Sequence, residues 1–246
     1  MKITVVVPCY NSMKYLKQCL DSVLNQDYDD YNVWAYDNES TDGTYEYLLE
    51  LEKKHKKLTV FQVPNIYPNG YGEAQEHIIE NLKSEYVTFV GSDDYISANY
   101  VSNCMKVLAH DPEKIKCIQS GFKSVQNEQI INYQMHFYKN IEEFKKQCLV
   151  RSPVNTPTVV LHKSLVHLLR VHEAHASFGT NCVGAGDYDT YCCMADRGIF
   201  IYPISAHMGY YYRWHEEQAT WKVHKNKKGI DYEKIIQEYW KKRWTL

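Results

Sequence analysis

Ile3-Thr4-Val5-Val6-Val7-Pro8-Cys9-Tyr10-Asn11 opens the chain, and its reading decides the fold. Residues 3–7 form a short, largely β-branched apolar run, as expected of a strand covered on both faces, and Pro8 is expected to end it. Residues 12–25 then place Leu16, Leu20, Val23 and Leu24 at helical spacing, behind the capping candidates Asn11 and Ser12. The pair repeats along the first half. Strands are predicted at 32–36, 58–63, 85–90 and 115–119, and helices at 44–56, 71–82 and 99–109. Such alternation with short loops predicts an α/β fold: an open, mostly parallel, Rossmann-like sheet flanked by helices. Ligands of such sheets sit beyond the carboxyl ends of the strands. That rule singles out residues 8–11, 37–44 and 91–95.

The second half is less regular. A helical pattern lies near 141–149, a strand at 159–161, a helix at 164–171, a helix at 187–197 and a strand at 199–202. From Asp231 onward Ile235, Ile236, Tyr239 and Trp240 share one side of an amphipathic helix. Neither repeats nor a low-complexity linker interrupt the chain. The expected organisation is a main domain over 1–222, with halves 1–120 and 121–222, and a basic amphipathic C-terminal helix over 223–246.

Composition narrows the class. An apolar share of 44% and a charged share of 24% over 246 residues suit a soluble domain with an adequate core. A net charge of −2 gives no global attraction to nucleic acid. The eight cysteines show no CxxC spacing, so neither a zinc site nor a disulfide framework is expected. Met1 leads directly into the first strand and no apolar run is long enough to span a bilayer, so a reducing, cytoplasmic setting is expected.

Four segments can carry chemistry. Gly91-Ser92-Asp93-Asp94 follows a predicted strand, where carboxylates could hold a divalent cation against phosphates or could simply cap the next helix. Asp37, at the end of the second strand, could accept hydrogen bonds from a ribose or base, while Thr41-Asp42-Gly43-Thr44 reads as a turn into a helix. Gly184-Ala185-Gly186-Asp187-Tyr188-Asp189 offers a close-approach loop and a carboxylate fit for a general base, or else an acidic helix start. In Tyr210-Tyr211-Tyr212-Arg213-Trp214-His215, Arg213 and His215 point to one face of an extended strand and could meet a pyrophosphate or a metal. The remaining histidines, including His162, His167, His172 and His175, form no evident ligand set.

In this order the segments resemble the family-2 glycosyltransferases of the GT-A fold. Val5 to Asn11 resembles that family's first strand and loop, Leu20-Asp21-Ser22-Val23-Leu24-Asn25-Gln26 its first helix, and Asp37 to Thr44 its aspartate-rich second loop. Tyr86 to Asp94 resembles the strand ending in its DxD motif, Gly186 to Asp189 its later acidic motif, and Tyr212 to His215 an element near the diphosphate. The match is dense over 3–95 and patchier over 150–220.

The resemblance implies an inverting enzyme that moves a sugar from a nucleotide-sugar, most often a UDP-sugar, to an acceptor hydroxyl. The half 121–222 would then be the acceptor side. Pro8, Tyr10, Asn11 and Asp37 would hold the nucleoside side of the donor; Ser92, Asp93 and Arg213 would meet its phosphates. Asp93 and His215 would ligate Mn²⁺ or Mg²⁺, and Asp187 would be the general base. The implied partners are the donor and a glycan, lipid-linked or protein acceptor, with a homo-oligomer left open.

The sequence also departs from the family's pattern. Gly91 stands where the DxD motif begins, Asn38 follows Asp37, Gln75-Glu76 replaces an Arg-Asn pair, and Gly186 precedes the proposed base. These losses favour altered donor contacts. They also admit a degenerate domain that binds nucleotide or glycan without catalysis, although Asp93 and Asp187 both remain. A sugar nucleotidyltransferase would need a glycine-rich, basic loop after the first strand, which residues 8–13 lack. Lys222, Lys225, Lys227, Lys228, Lys241, Lys242 and Arg243 interleave with Trp221, Trp240 and Trp244. This pattern suits peripheral membrane contact, or a helix packed on the core with solvated lysines.

Overall fold

The structure, a computed structural model, describes residues 1–65, 72–179, 185–218 and 231–244. Strand β1 (Ile3–Cys9) is flanked by two parallel neighbours, β2 (Tyr31–Asp37) and β4 (Tyr86–Phe89). With β3 (Leu58–Gln62), β6 (Cys117–Ser120), β9 (Val159–His162) and β10 (Tyr202–Ile204) they form a seven-stranded sheet in the order β10-β6-β9-β4-β1-β2-β3. The sheet is mostly parallel, and β9 runs antiparallel between β4 and β6.

Alternation along β1 builds the two faces of the core. Val5 and Val7 are fully buried against Leu16 and Leu20 of α1 (Met13–Leu24) and Val101 and Leu108 of α4 (Tyr100–His110). Val6 faces the other side. There the core holds Phe144 of α5 (Ile141–Cys148), Tyr191 of α7 (Gly186–Asp196) and Trp240 of α8 (Tyr232–Trp244). Between the strands run α2 (Thr44–Glu52), α3 (Gly72–Asn81) and the short α6 (Glu173–Ser177).

Pro8 does not end β1. It pairs with Tyr36 inside the strand, which continues to Cys9. The partnership with β4 stops at Val6, so the missing N–H falls where no strand lies on that side. Helix α2 stops at Glu52 rather than near 56, and the Glu52 carboxylate accepts the Val60 N–H at 2.8 Å, turning the chain into β3. Residues 199–201 are not strand. Gly198, at φ 76°, ends α7, and the Ile199 N–H returns to the Met194 carbonyl at 2.9 Å, the six-to-one bond of a helix stop. Residues 163–170 wind as a 3-10 segment, not as an α-helix.

A second sheet was not foreseen. β5 (Tyr95–Ile96), β11 (Tyr210–Arg213), β7 (Phe122–Gln126) and β8 (Gln129–Gln134) form it in that order. It brings residue 213 beside the turn that follows β4. The predicted C-terminal helix is present as α8 and packs inward. Ile236 and Trp240 are buried, Trp240 Nε1 donates to Asp189 at 2.8 Å, and Trp244 Nε1 donates to Asp196 at 3.0 Å. Residue 71, Gly184, Trp221, Lys222, Lys225, Lys227 and Lys228, named above, lie outside the described residues.

Candidate active site

The carboxyl ends of β1, β2 and β4 open into a cavity of about 1520 Å³, lined among others by Pro8, Tyr10, Asn11, Ser92, Asp93, Asp187 and His215. Seven of the nine residues nominated from sequence thus share one space. Pockets for one drug-sized ligand run to roughly 1,000 Å³, so this one has room for two substrates.

Its floor is tied together by hydroxyls and backbone. Asn11 sits in the left-handed region at φ 49°, a conformation that asparagine tolerates. Its N–H donates to Ser40 Oγ at 2.9 Å, and its Oδ1 accepts the Thr41 N–H at 2.8 Å. Asp42 accepts the Met13 N–H at 3.0 Å and the Thr44 hydroxyl at 2.6 Å, and the latter bond leads the causes that hold its carboxyl below the usual range against the opposing effect of burial. Asp42 is thus the brace of the turn, as its sequence suggested. Ser12 and Ser92 join hydroxyl to hydroxyl at 2.7 Å, linking the first loop to the turn after β4.

Asp93 and His215 converge. The Asp93 carboxylate meets His215 Nε2 at 2.9 Å, and the imidazole lies against the Tyr15 ring at a centroid distance of 4.9 Å. Among the described residues, His215 Nδ1 is buried without a partner. Among the described residues no group of three or more acidic, histidine or cysteine side chains could hold a metal ion. One carboxylate and one imidazole at a common point still suit a cation that takes its other ligands from phosphate oxygens and water.

Two nominated residues lie behind the wall. Asp37 is fully buried. Its Oδ2 accepts the Ser40 N–H at 3.2 Å and the Gln62 amide at 3.4 Å, and among the described residues its Oδ1 has no partner. Tyr36 and Asn38 line the cavity beside it. Arg213 is only 3% exposed, with its guanidinium held by protein groups. Nε donates to the Asp93 carbonyl at 2.8 Å, the terminal nitrogens meet Glu128 and Gln18, and Tyr15 packs over the group at 4.5 Å. It braces the Asp93 turn from below and does not open onto the cavity.

Asp94 is equally internal. It accepts the Tyr210 hydroxyl at 2.6 Å and the Arg213 N–H at 2.7 Å, and burial followed by the Asp93 charge pushes its carboxyl well above the usual range.

Across the cavity, Asp187 occupies the first turn of α7. Its Oδ2 accepts the Thr156 hydroxyl at 2.5 Å and its Oδ1 the Tyr188 N–H at 2.8 Å. Asp189, its neighbour in the motif, turns into the core and is fully buried, bonding to His175 and Trp240. The sequence gives no warning of Thr156 or His172. His172 lines the cavity with Nδ1 3.1 Å from the Gly186 carbonyl, and burial foremost pushes its pKa down. Where an Arg-Asn pair was expected, Gln75 donates to the Leu169 carbonyl at 2.6 Å and Glu76 pairs with Arg170 at 2.9 Å.

The family model for glycosyl transferase family 2 matches residues 4–167. A poly(ribitol-phosphate) beta-glucosyltransferase of Bacillus spizizenii is 37% identical over 100 residues, 40% of this chain and 16% of that protein. A chondroitin synthase of Pasteurella multocida is 24% identical over 198 residues, 80% of this chain and 19% of that protein. The chain thus spans less than a fifth of the length of either relative. Among solved structures, S. aureus TarS 1–349 in complex with UDP-GlcNAc superimposes with a TM-score of 0.64 at 22% identity, covering 89% of this chain and 60% of that one. The mannosyltransferase PcManGT of Pyrobaculum calidifontis, in complex with GDP-Man and Mn²⁺, gives a TM-score of 0.56 at 18% identity, covering 90% and 59%.

Proposed function

The chain belongs to glycosyl transferase family 2 and has the GT-A fold, and we propose that it transfers a sugar from a UDP-sugar to an acceptor hydroxyl with inversion at the anomeric carbon. The observation that carries this reading is the placement of the Asp93–His215 pair and of Asp187 on one cavity large enough for donor and acceptor together.

The donor's nucleoside lies along Pro8, Tyr10, Asn11 and Asn38, with the unpartnered Asp37 Oδ1 just behind. Asp93 and His215 would hold a divalent cation, Mn²⁺ or Mg²⁺. When bound, the cation offsets negative charge that develops on the departing nucleotide. Ser92 offers a hydroxyl at the same end. Asp187 accepts the proton of the acceptor hydroxyl as the acceptor oxygen bonds to the anomeric carbon and the bond to the diphosphate breaks. The Thr156 hydroxyl and Tyr188 N–H fix the carboxylate for that step.

The acceptor enters over the second half, where Phe137 (71% exposed) and Val150 (75%) stand at the cavity's edge with Arg151. A glycan, whether free, lipid-linked or protein-bound, fits such a surface. No helix among the described residues is long and apolar enough to cross a membrane.

Turnover of a UDP-sugar panel with Mn²⁺, followed by release of UDP, tests the reading. Even slow hydrolysis that disappears in Asp93→Ala supports it. A protein that binds UDP yet never releases it from any UDP-sugar, with any acceptor offered, would be the non-catalytic binding domain instead.

A further inference from the structure

Gly91 looks like a loss, since it removes the first acid of the motif. The space its side chain would fill is occupied. A Cβ built on Gly91 would lie 2.8 Å from Asp93 Oδ1 and 2.9 Å from Asp94 Oδ2, closer than carbon and oxygen tolerate. The backbone cannot retreat. The Gly91 N–H donates to the Tyr210 hydroxyl at 3.1 Å, and its carbonyl accepts from the Asp94 N–H at 2.9 Å and from the Cys19 thiol at 3.4 Å. Nor can Asp94 move, because it is 2% exposed and held by Tyr210 and the Arg213 N–H. Only Asp93 is free to yield: its side chain is 32% exposed, and among the described residues its carboxylate is anchored by His215.

We infer that Gly91 is a positioning residue: by having no side chain, it lets the Asp93 carboxylate lie over residue 91 with one oxygen while the other stays on His215. One carboxylate then fills the place that paired acids would share. Reinstating the acid at 91 therefore breaks the site instead of completing it. The inference builds on the reading of Asp93 and His215 as the cation's ligands.

The test compares Mn²⁺ affinity, by electron paramagnetic resonance with UDP present, for the wild type, Gly91→Ala, Gly91→Asp, Asp93→Asn and the double variant Gly91→Ala/Asp93→Asn. Positioning groups of metal ligands typically carry 10- to 100-fold in affinity, so either change at Gly91 alone is expected to weaken binding roughly that much. In the Asp93→Asn background Gly91→Ala should add nothing, because its effect runs through that carboxylate. A crystal structure of Gly91→Ala should show Asp93 parted from His215. Equal or tighter Mn²⁺ binding by Gly91→Asp, or an Asp93–His215 bond intact in Gly91→Ala, overturns the inference. If the wild type itself takes no Mn²⁺ with UDP, the metal reading fails, and the Gly91→Ala structure still decides the role of Gly91. Should the variants not fold, a wild-type crystal structure with UDP and Mn²⁺ decides: Asp93 swung off Gly91 contradicts the inference.

Discussion

Asp187 and Asp189 stand two residues apart in one motif, and the helix start separates their fates. Asp187 opens onto the cavity, while Asp189 is enclosed and anchors His175 and Trp240. Asp187→Asn keeps the bond from Thr156 and removes the proposed proton acceptor. Transfer is expected to fall about 10²- to 10⁴-fold with UDP affinity unchanged, as a progress curve and a calorimetric titration would show. A matched loss of UDP binding would mean that Asp187 serves the donor instead. Asp93, His215 and Asp187 were legible in the sequence because each follows a recognisable strand or loop at motif spacing. The orientation of Asp37 and Arg213 was not. Spacing places Arg213 and His215 on one face, and both do reach Asp93, but Arg213 takes its backbone and His215 its carboxylate. Only the presence of Gln18 and Glu128 around the guanidinium, brought in from distant elements, settles that difference.

Among the elements, the parallel sheet was legible because β1 carries the apolar run Val5-Val6-Val7 and strand and helix signals alternate behind it, whereas the second sheet was hidden by its turn. β7 and β8 join through Asn127 and Glu128, both at positive φ, 49° and 61°. That is the two-residue hairpin geometry usually announced by Asn-Gly, and a glutamate in the second place conceals it. The left-handed backbone costs a non-glycine residue roughly 1–2 kcal/mol, and the Glu128 carboxylate there pairs with the buried Arg213. On the opposite side of the molecule, α8 locks onto α7 through Trp240. Trp240→Phe would preserve most of the packing and leave Asp189 Oδ1 without its indole donor. It should destabilise the protein by about 1–3 kcal/mol in urea titration. No change would show that this bond contributes nothing to holding the helix.

At the scale of the whole molecule, buried histidines set the acid limb of stability. Burial foremost, aided by the Arg151 charge and opposed by the Pro153 carbonyl, pushes His136 down to about 4 from an ordinary 6.5. Among the described residues, its Nε2 is buried without a partner. Between those two values the unfolded chain binds a proton that the folded chain refuses. The folded state therefore loses stability as pH falls from about 6.5 toward about 4, by about 3 kcal/mol for this residue. Burial lowers His172 and His207 as well, which adds to the same slope. Asp94, whose carboxyl burial pushes well above the usual range, titrates with the opposite sign in this window, so the wild type is compared with His136→Asn. The urea midpoint of His136→Asn should fall less between pH 7 and pH 4.5 than that of the wild type, and an equal or larger fall would contradict the assignment.

If the Asp93–His215 pair and the loops around it form a metal-assisted donor site, nucleotide must bind there together with the cation. Thermal melting of the wild type and Asp93→Ala should be compared with UDP alone, Mn²⁺ alone, and both. Ligand at a hundred times its dissociation constant stabilises by about 2.7 kcal/mol. The wild type should therefore melt several degrees higher with UDP and Mn²⁺ together, and Asp93→Ala should lose the part that depends on Mn²⁺. A wild type whose melting temperature is unmoved by UDP, with or without Mn²⁺, would contradict the account.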